Sequence, residues 1–581
     1  MSCIAGPSRF AIRQTTSSVF PVLSRVTLVD RKWPPTRPLR RPVTTSRPKQ
    51  DKPKSQPRYN FNTSLNFTEE PDPDHVSYRR VTASDLAKHK EPPTRVKMLV
   101  RDFIDDSLYN PHYGYFSKNA TIFTPPQEEG YDFISFRDTA AFSEAVADRY
   151  ESYNLVPTEQ SGLGRQVWHT PTELFKPYYA QALISAILKE YKLYHYPHQD
   201  LIIYEVGAGN GSFMLDSLRF IRDHHPDIFI KTKYRVIEIS QALAKVQRDR
   251  ARKAGFRNVV EVINEDVFNW QGGEDKSCFV IALEVFDNFA HDMIRYDIQT
   301  LQPLQATVSI DSFNNFTLLY EPISDPLLQR VLQYKHLLSP SSSTSPPLHP
   351  LLLRSPLLRS IWSTLPFGPN LSQPDFIPTK AILFLERLRA RLPAHRLLVA
   401  DFDALPEAVI GRNGPVVQTR YGSSMVPCET FLVKQGYFDI FFPTDFSLLR
   451  NIYSLIMNSP PHLPISKIHS STSLHLNPSP NPTSNQTNIK ILPQSMKPSR
   501  HSNPPNVEPP SPAVEWSSQT IIPFFTPHRL TGVQGFRRRQ VGIHTHSDFL
   551  LKYGRDVVDH TKVKDGSNVM LSMYDNARVM F

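Results

Sequence analysis

Ile202-Ile-Tyr-Glu-Val-Gly-Ala-Gly-Asn-Gly-Ser-Phe213 is an apolar run that enters three alternate glycines and leaves into a helical pattern. Gly207, Gly209 and Gly211 let the main chain turn sharply and leave room for a ligand to approach it, and the helix start that follows offers N–H groups to an anion. A nicotinamide-dinucleotide loop places its third glycine one position later and follows it with an acid about 20 residues on. Here the third glycine is early and the next strand's acid, Glu238, lies 29 residues after Gly209. Both departures point away from NAD and towards S-adenosylmethionine.

Outward from that turn, short apolar runs at Leu201–Tyr204, Tyr234–Ile239, Val259–Ile263, Phe279–Leu283 and Leu397–Phe402 alternate with helical segments or long connections. This alternation predicts an α/β fold, a parallel sheet covered by helices. Met214, Leu218 and Ile221 share a helical face, and Ser240 is a cap for a helix that turns Leu243 and Val246 inward and stops at Gly255. Earlier, Val96, Leu99, Val100, Phe103 and Ile104 have helical spacing, and Leu174 to Tyr194 reads as a second amphipathic helix. Thr430–Lys434 and Tyr437–Phe442, joined around Gln435-Gly436, read as an antiparallel hairpin ending the core.

The predicted organisation is a presequence at 1–50, a linker at 51–94, a helical cap at 95–200 and the main domain at 201–457 with an insertion around 300–395. A low-complexity disordered insertion at 458–514 and a returning C-terminal part at 515–581 complete it. The insertion is rich in Pro, Ser, Asn and His with Glu508 its one acid, which cannot bury enough apolar surface to fold; a translated intron would read the same way.

The chain has 581 residues and a formal net charge of +11. Ten Lys/Arg against the single acid Asp30 put +9 of that charge in residues 1–50, which leaves the rest nearly neutral. An arginine-rich, hydroxyl-rich, acid-poor leader is the composition of a mitochondrial presequence, and no unbroken apolar segment supplies a secretory signal. The most apolar later run, Leu348 to Trp362, is broken by Pro350, Arg354, Pro356 and Arg359, so no membrane span is expected. Three cysteines without a C-x-x-C pair encode neither a disulfide framework nor a thiolate zinc site, and no metal is expected at His544/His546 or His224/His225. Bases and aromatics do not interleave as on an RNA-binding sheet, so no nucleic-acid partner is expected.

Chemistry concentrates at strand ends. Glu205 can act on a ligand ammonium, Glu238 can accept from vicinal ribose hydroxyls, and Asp266 is placed for an adenine amino group; any of them taken singly can equally cap a local turn. With Gly207, Gly209, Asn210 and Gly211 they form the candidate cofactor site. The fourth run ends in Ile281-Ala-Leu-Glu-Val-Phe-Asp-Asn-Phe289, whose Glu284 and Asp287 stand where a methyl acceptor must approach. Paired carboxylates suit a guanidinium, which is planar, permanently charged and forked. A loop whose acids bond nearby backbone is the plainer reading of the same pair.

Three motifs carry a family resemblance. Phe103-Ile-Asp-Asp-Ser-Leu-Tyr-Asn-Pro-His-Tyr-Gly-Tyr-Phe116, Tyr204-Glu-Val-Gly-Ala-Gly-Asn-Gly211 and Gln435-Gly-Tyr-Phe-Asp-Ile-Phe-Phe-Pro-Thr-Asp-Phe446 resemble the signatures of the MidA-type mitochondrial methyltransferases. The resemblance covers Arg95 to about Arg450 and resumes from Thr545 to Phe581. It implies a class I methyltransferase (Rossmann-like) fold, S-adenosylmethionine as cofactor, and symmetric dimethylation of an arginine in a complex I subunit within the mitochondrial matrix. Leu283-Glu-Val-Phe-Asp-Asn-Phe-Ala290 keeps both acids of the family's corresponding loop and loses its leading amide and proline; Thr170-Pro-Thr-Glu173 keeps the acid of the cap motif. The altered loop leaves a second function open, a non-catalytic assembly factor built on the same fold. Nothing in the sequence sets the oligomeric state.

Overall fold

The structure is a computed structural model that describes residues 60–61, 75, 77–118, 121–122, 124–154, 167–168, 170–338, 345–365, 369–405, 409–421, 424–458 and 540–581. The expected presequence and the expected low-complexity insertion, but for Asn458, lie outside these residues.

The elements that position the site are, in chain order, β1 (Val96–Leu99), α1 (Val100–Tyr109), α2 (Tyr178–Tyr194), β2 (Leu201–Val206), α3 (Ser212–His224), β3 (Thr232–Ile237), α4 (Gln241–Lys253), β4 (Val260–Ile263) and β5 (Cys278–Leu283). There follow β6 (Asp292–Tyr296), β7 (Pro303–Ile310), β8 (Phe316–Pro322), α5 (Pro350–Arg354), α6 (Pro356–Thr364), β9 (Asp375–Ile377), α7 (Thr379–Arg391), β10 (His395–Phe402), α8 (Phe446–Met457), β11 (Ile543–Thr545) and β12 (Ala577–Met580).

The central sheet runs β11-β12-β10-β5-β2-β3-β4. Strands β4, β3, β2, β5 and β10 are mutually parallel, and β12 is antiparallel to both β10 and β11. Numbered within this sheet, the order is 3-2-1-4-5-7-6 with the last strand reversed. That arrangement defines the class I methyltransferase sheet, with its switch of direction beside β2, where crevices for ligands form. Strand β2 is buried along its whole length because helices cover both faces, which is why Leu201–Val206 reads as a continuous apolar run. Met214, Leu218 and Ile221 of α3 pack on one face with α2, and Ile382, Leu385 and Ile452 of α7 and α8 pack on the other.

A second sheet is built from the segment between β5 and β10. Strands β8, β7, β6 and β9 are antiparallel neighbours, and β1 pairs with the half of β7 that β6 leaves free. Val96 and Leu99 are therefore strand residues, and the helix expected from Val96 begins at Val100: the open edge of β7 offers Val96–Leu99 backbone partners that a helix would forgo.

The expected hairpin at 430–442 is also absent. Thr430–Lys434 forms no strand, and Asp439–Phe441 pairs instead with Val416–Gln418. The cause is tertiary. Gln435 donates to Asp106 Oδ2 at 2.6 Å, and Gly436, at φ +80°, lies so close to the carbonyl of Tyr113 that a Cβ would overlap it. The late signature thus packs on the early one, and the reversed strand of the sheet comes from the last residues of the chain.

Candidate active site

Strand β2 ends at Val206, and the glycine turn carries the chain into α3. Gly207 donates its N–H to the carbonyl of Ile237 on β3 at 3.0 Å, and a Cβ on it would stand 3.2 Å from Val285. Gly211, at φ +77°, is the residue before α3 and has no side chain to cap it, so the first N–H groups of that helix face outward from the turn. Both positions require glycine, one for approach and one for the left-handed backbone.

Three side chains brace the turn. Glu173, the acid of the cap motif, accepts from Ser212 Oγ at 2.7 Å and from Asn210 Nδ2 at 3.4 Å, with Lys176 Nζ 3.7 Å from its other oxygen. Arg250 donates to the Asn210 carbonyl at 2.7 Å and to Ser212 Oγ at 3.1 Å. Gln247, fully buried on α4, donates to the Gly209 carbonyl at 2.8 Å and to Glu238 Oε2 at 2.9 Å. Val246, expected to face inward, is exposed, and Gln247 takes the inward place, where its amide satisfies a carbonyl and a carboxylate.

Glu238 follows β3. Its second oxygen accepts the N–H of Ser240 at 2.9 Å, so both carboxylate oxygens are fixed by α4, the helix that Ser240 caps. Burial pushes its carboxyl above the usual range. Glu205 is buried in β2 and accepts the Tyr234 hydroxyl at 2.7 Å; burial pushes its carboxyl up to about 7 against that hydrogen bond, with the charge of Glu238 adding to the rise. Asp266 is half-buried after β4 and accepts from the Phe268 N–H at 2.9 Å and from Asn269 at 3.4 Å, so it caps its own turn. Its backbone places it near the Lys380–Asp105 ion pair, whose members both feel its charge.

The loop after β5 turns at Glu284, which holds φ +53°, an uncommon backbone for a residue with a Cβ, and donates its N–H to the carbonyl of Ala400 on β10. Asp401 secures the next residues. Its Oδ2 accepts from the N–H groups of Phe286 and Asp287 at 2.9 and 3.2 Å, and its Oδ1 from Phe402 at 2.8 Å. Asp287 is fully buried, and neither of its carboxylate oxygens has a hydrogen-bond donor among the described residues. Burial first, then the charges of Asp401, Glu284 and Asp439, drive its carboxyl well above the ordinary value. Glu284 is raised likewise by burial and by Asp401, and Asp401 itself by burial to about 6. Tyr109 of the early signature lies beside these acids, donating to the Asn288 carbonyl at 3.3 Å and sensing Asp105, Asp287 and Asp439.

The structure therefore brings Gly207, Gly209, Asn210, Gly211, Glu205 and Glu238 around one turn, and Glu284 and Asp287 into one buried acidic pocket. Sequence reading missed Asp401, hidden inside an apolar strand run, and Gln247, hidden in a charged helix. Glu173 was visible in a motif but not as a brace of the turn. Among the described residues no cluster of His, Cys, Asp or Glu is arranged to hold a metal ion, and no helix is long and apolar enough to cross a membrane.

Strand order and glycine turn together define a class I methyltransferase. Residues 182–462 match the family described as "Putative S-adenosyl-L-methionine-dependent methyltransferase". The chain is 24% identical over 329 residues to the Protein arginine methyltransferase NDUFAF7 homolog, mitochondrial, of Schizosaccharomyces pombe, which spans 55% of this chain and 67% of that protein. A protein from Burkholderia thailandensis crystallised with S-adenosyl-homocysteine aligns at 14% identity and TM-score 0.37 over 67% of this chain and 83% of its own. A methyltransferase from Thiobacillus denitrificans with the same ligand aligns at 19% identity and TM-score 0.14 over 20% and 38%. The family match and the relative support the MidA-type family of S-adenosylmethionine-dependent methyltransferases, and S-adenosylmethionine is the cofactor.

Proposed function

We propose that this methyltransferase acts on arginine in a protein, with Glu284 and Asp287 as the acids that hold the guanidinium. The observation that carries the reading is Asp287: an acid that is fully buried, has no donor on either oxygen among the described residues, and has Asp401, Glu284 and Asp439 close by. An uncompensated buried acid is costly, and a forked cation carrying five N–H donors is the group that would satisfy several such oxygens at once. The matching relative is named a protein arginine methyltransferase, which supports the same assignment.

The residues around the turn fit the cofactor. Gly207 leaves space that a Cβ would fill, and the α3 N-terminus offers N–H groups to a carboxylate. Glu205 would take the amino group, Glu238 the ribose hydroxyls and Asp266 the adenine amino group. When bound, S-adenosylmethionine supplies an electrophilic methyl group on a positively charged sulfur. The chain's part is placement. Glu284 and Asp287 would accept N–H bonds from the guanidinium, turn one nitrogen lone pair towards that methyl, and take the proton released as the new N–C bond forms. Asp401 keeps both acids in place by fixing the loop between them through backbone N–H groups. Tyr109 and Asp439 would face the same guanidinium.

The finer reading extends to symmetric dimethylation on a complex I subunit in the mitochondrial matrix, which the family motifs and the relative's mitochondrial name support. The leader at 1–50, the cap at 95–200 and the return at 515–581 belong to this proposal as domain limits. The test is Asp287→Asn in the full chain: methyl transfer is lost while S-adenosylmethionine affinity stays within a few-fold. Cofactor binding lost in the same variant would mean that Asp287 belongs to the cofactor site. Cells carrying Glu284→Gln that assemble complex I normally would favour the scaffold reading.

A further inference from the structure

Helices α5 and α6 bury none of their residues. Leu357, Leu358, Ile361, Trp362 and Leu365 recur at i, i+1, i+4, i+5 and i+8 and so form one stripe, opposite Arg359, Ser360, Ser363 and Thr364. On a helix packed against a core that stripe would face inward. Here Leu357 is 71% exposed, Ile361 51%, Leu365 48% and Leu358 39%, with Leu351 of α5 at 59%. Five of the 16 exposed large apolar side chains among the described residues thus fall within 15 positions, which makes a ridge rather than scattered exposure.

The charge of this region has one sign. From Pro326 to Pro374 there is no Asp or Glu in 49 residues. Arg330 and Lys335 of that stretch are paired with Glu386 and Asp375, but Arg354 and Arg359 have no carboxylate within ion-pair distance among the described residues. Arg359 donates to the carbonyls of Leu352, Leu353 and Gln299, which ties α5 to α6 and both to the β6–β7 turn while leaving its positive charge uncompensated. The ridge is therefore held in a fixed shape, apolar in front and cationic at its flank.

We infer that the α5–α6 ridge docks on an anionic lipid bilayer, with Leu357, Leu358, Ile361 and Leu365 entering the headgroup–acyl boundary, Arg354 meeting lipid phosphates and Arg359 holding the two helices together. A short amphipathic element with Leu, Ile and Trp on one face and arginine beside it has the composition of an interfacial helix, and two cations near the surface add electrostatic attraction. A second copy of the chain fits less well, since a two-fold contact through this ridge would oppose arginine to arginine with no acid between them. The inference is independent of which residue accepts the methyl group.

Vesicle binding alone would not test it, because residues 1–50 carry ten Lys/Arg of their own. The readout must sit on the ridge. A polarity-sensitive fluorophore is placed at Leu357→Cys in the full chain carrying Cys3→Ser and Cys428→Ser. It is titrated with phosphatidylcholine vesicles containing about one-third anionic phospholipid, with and without brominated acyl chains. A blue shift and bromine quenching are expected. In separate titrations of the unlabelled chain, partitioning should drop about tenfold in Ile361→Glu and about fivefold in Arg354→Ala. The thermal shift given by S-adenosyl-homocysteine should be unchanged in both variants, which establishes that they fold. Bound protein with an unquenched probe, or Ile361→Glu bound as tightly as the unaltered chain, overturns the inference. So does a dimer in solution that Ile361→Glu dissociates, or no affinity for any vesicle together with capture of an acidic protein through the ridge.

Discussion

The two halves of the active site treat their carboxylates in opposite ways. Around the glycine turn each acid is already satisfied by the protein, Glu205 by Tyr234 and Glu238 by Ser240 and Gln247, and Asp266 beyond β4 is satisfied by Phe268. On the other side of the site Asp287 has no hydrogen-bond donor among the described residues, and Asp401, Glu284 and Asp439 stand close enough to raise its carboxyl. A site whose acids are held rigidly presents a fixed shape to a large ligand. A buried acid left without a donor stores an unfavourable energy that an incoming cation relieves. On the proposed assignment, the cofactor half is built for shape and the acceptor half for charge.

The comparison breaks most visibly in catalysis. Asp287→Asn should lower the methyl-transfer rate by about 10³-fold, within the range that general bases contribute, with S-adenosylmethionine affinity kept within a few-fold by calorimetry. On the cofactor side the effects are in binding. Glu238→Ala should weaken S-adenosylmethionine by about 2 kcal/mol, because it removes a charged acceptor and leaves the Gln247 amide short of a partner. Gln247→Leu should cost about 1 kcal/mol of the same affinity by freeing the Gly209 carbonyl. Loss of transfer at unchanged affinity in either variant would place these residues on the acceptor side.

Stability sharpens the contrast. Asp287→Asn should raise the unfolding free energy by about 1–2 kcal/mol in denaturant titrations, since it removes a buried acid among acids, whereas Glu238→Gln should not. The sign of its pH dependence follows from the raised carboxyl. An acid that binds its proton more tightly folded than unfolded takes up protons on folding, so it costs nothing below its unfolded value near about 4 and destabilises increasingly as pH rises above it. The gain from Asp287→Asn should therefore grow with pH in paired thermal melts. Asp401, raised to about 6, likewise costs nothing below its unfolded value near about 4 and destabilises progressively as pH rises from there to about 6. A gain that shrinks with pH would show Asp287 to be stabilised as an ion in the folded state.

Much of this was legible before any coordinates. The five core strands, the Ser240 cap and the glycine turn follow from local pattern, because a buried parallel strand is continuously apolar and a tight strand-to-helix bend needs glycine at set places. What sequence concealed depended on distant partners. Val96–Leu99 becomes a strand only because β7 has a free edge, and Gln435-Gly436 closes on Tyr113 and Asp106 instead of turning a hairpin. The reversed strand comes from Ala577–Met580, far along the chain from β10, which it neighbours. Asp401 looked like an interruption of an apolar strand; its work lies in three backbone N–H groups, two of them more than a hundred residues earlier. Spacing alone allows Glu284 and Asp287 to converge, but the lack of a donor to Asp287 among the described residues is a property of the packed structure.

The most direct measurement is residue-level mass spectrometry of a mitochondrial protein extract incubated with the purified chain and methyl-labelled S-adenosylmethionine, run in parallel with Asp287→Asn. Label is expected on arginine side chains with the unaltered protein and absent with the variant. Label on other residue types, or equal labelling by Asp287→Asn, would contradict the assignment of the buried acids to a guanidinium.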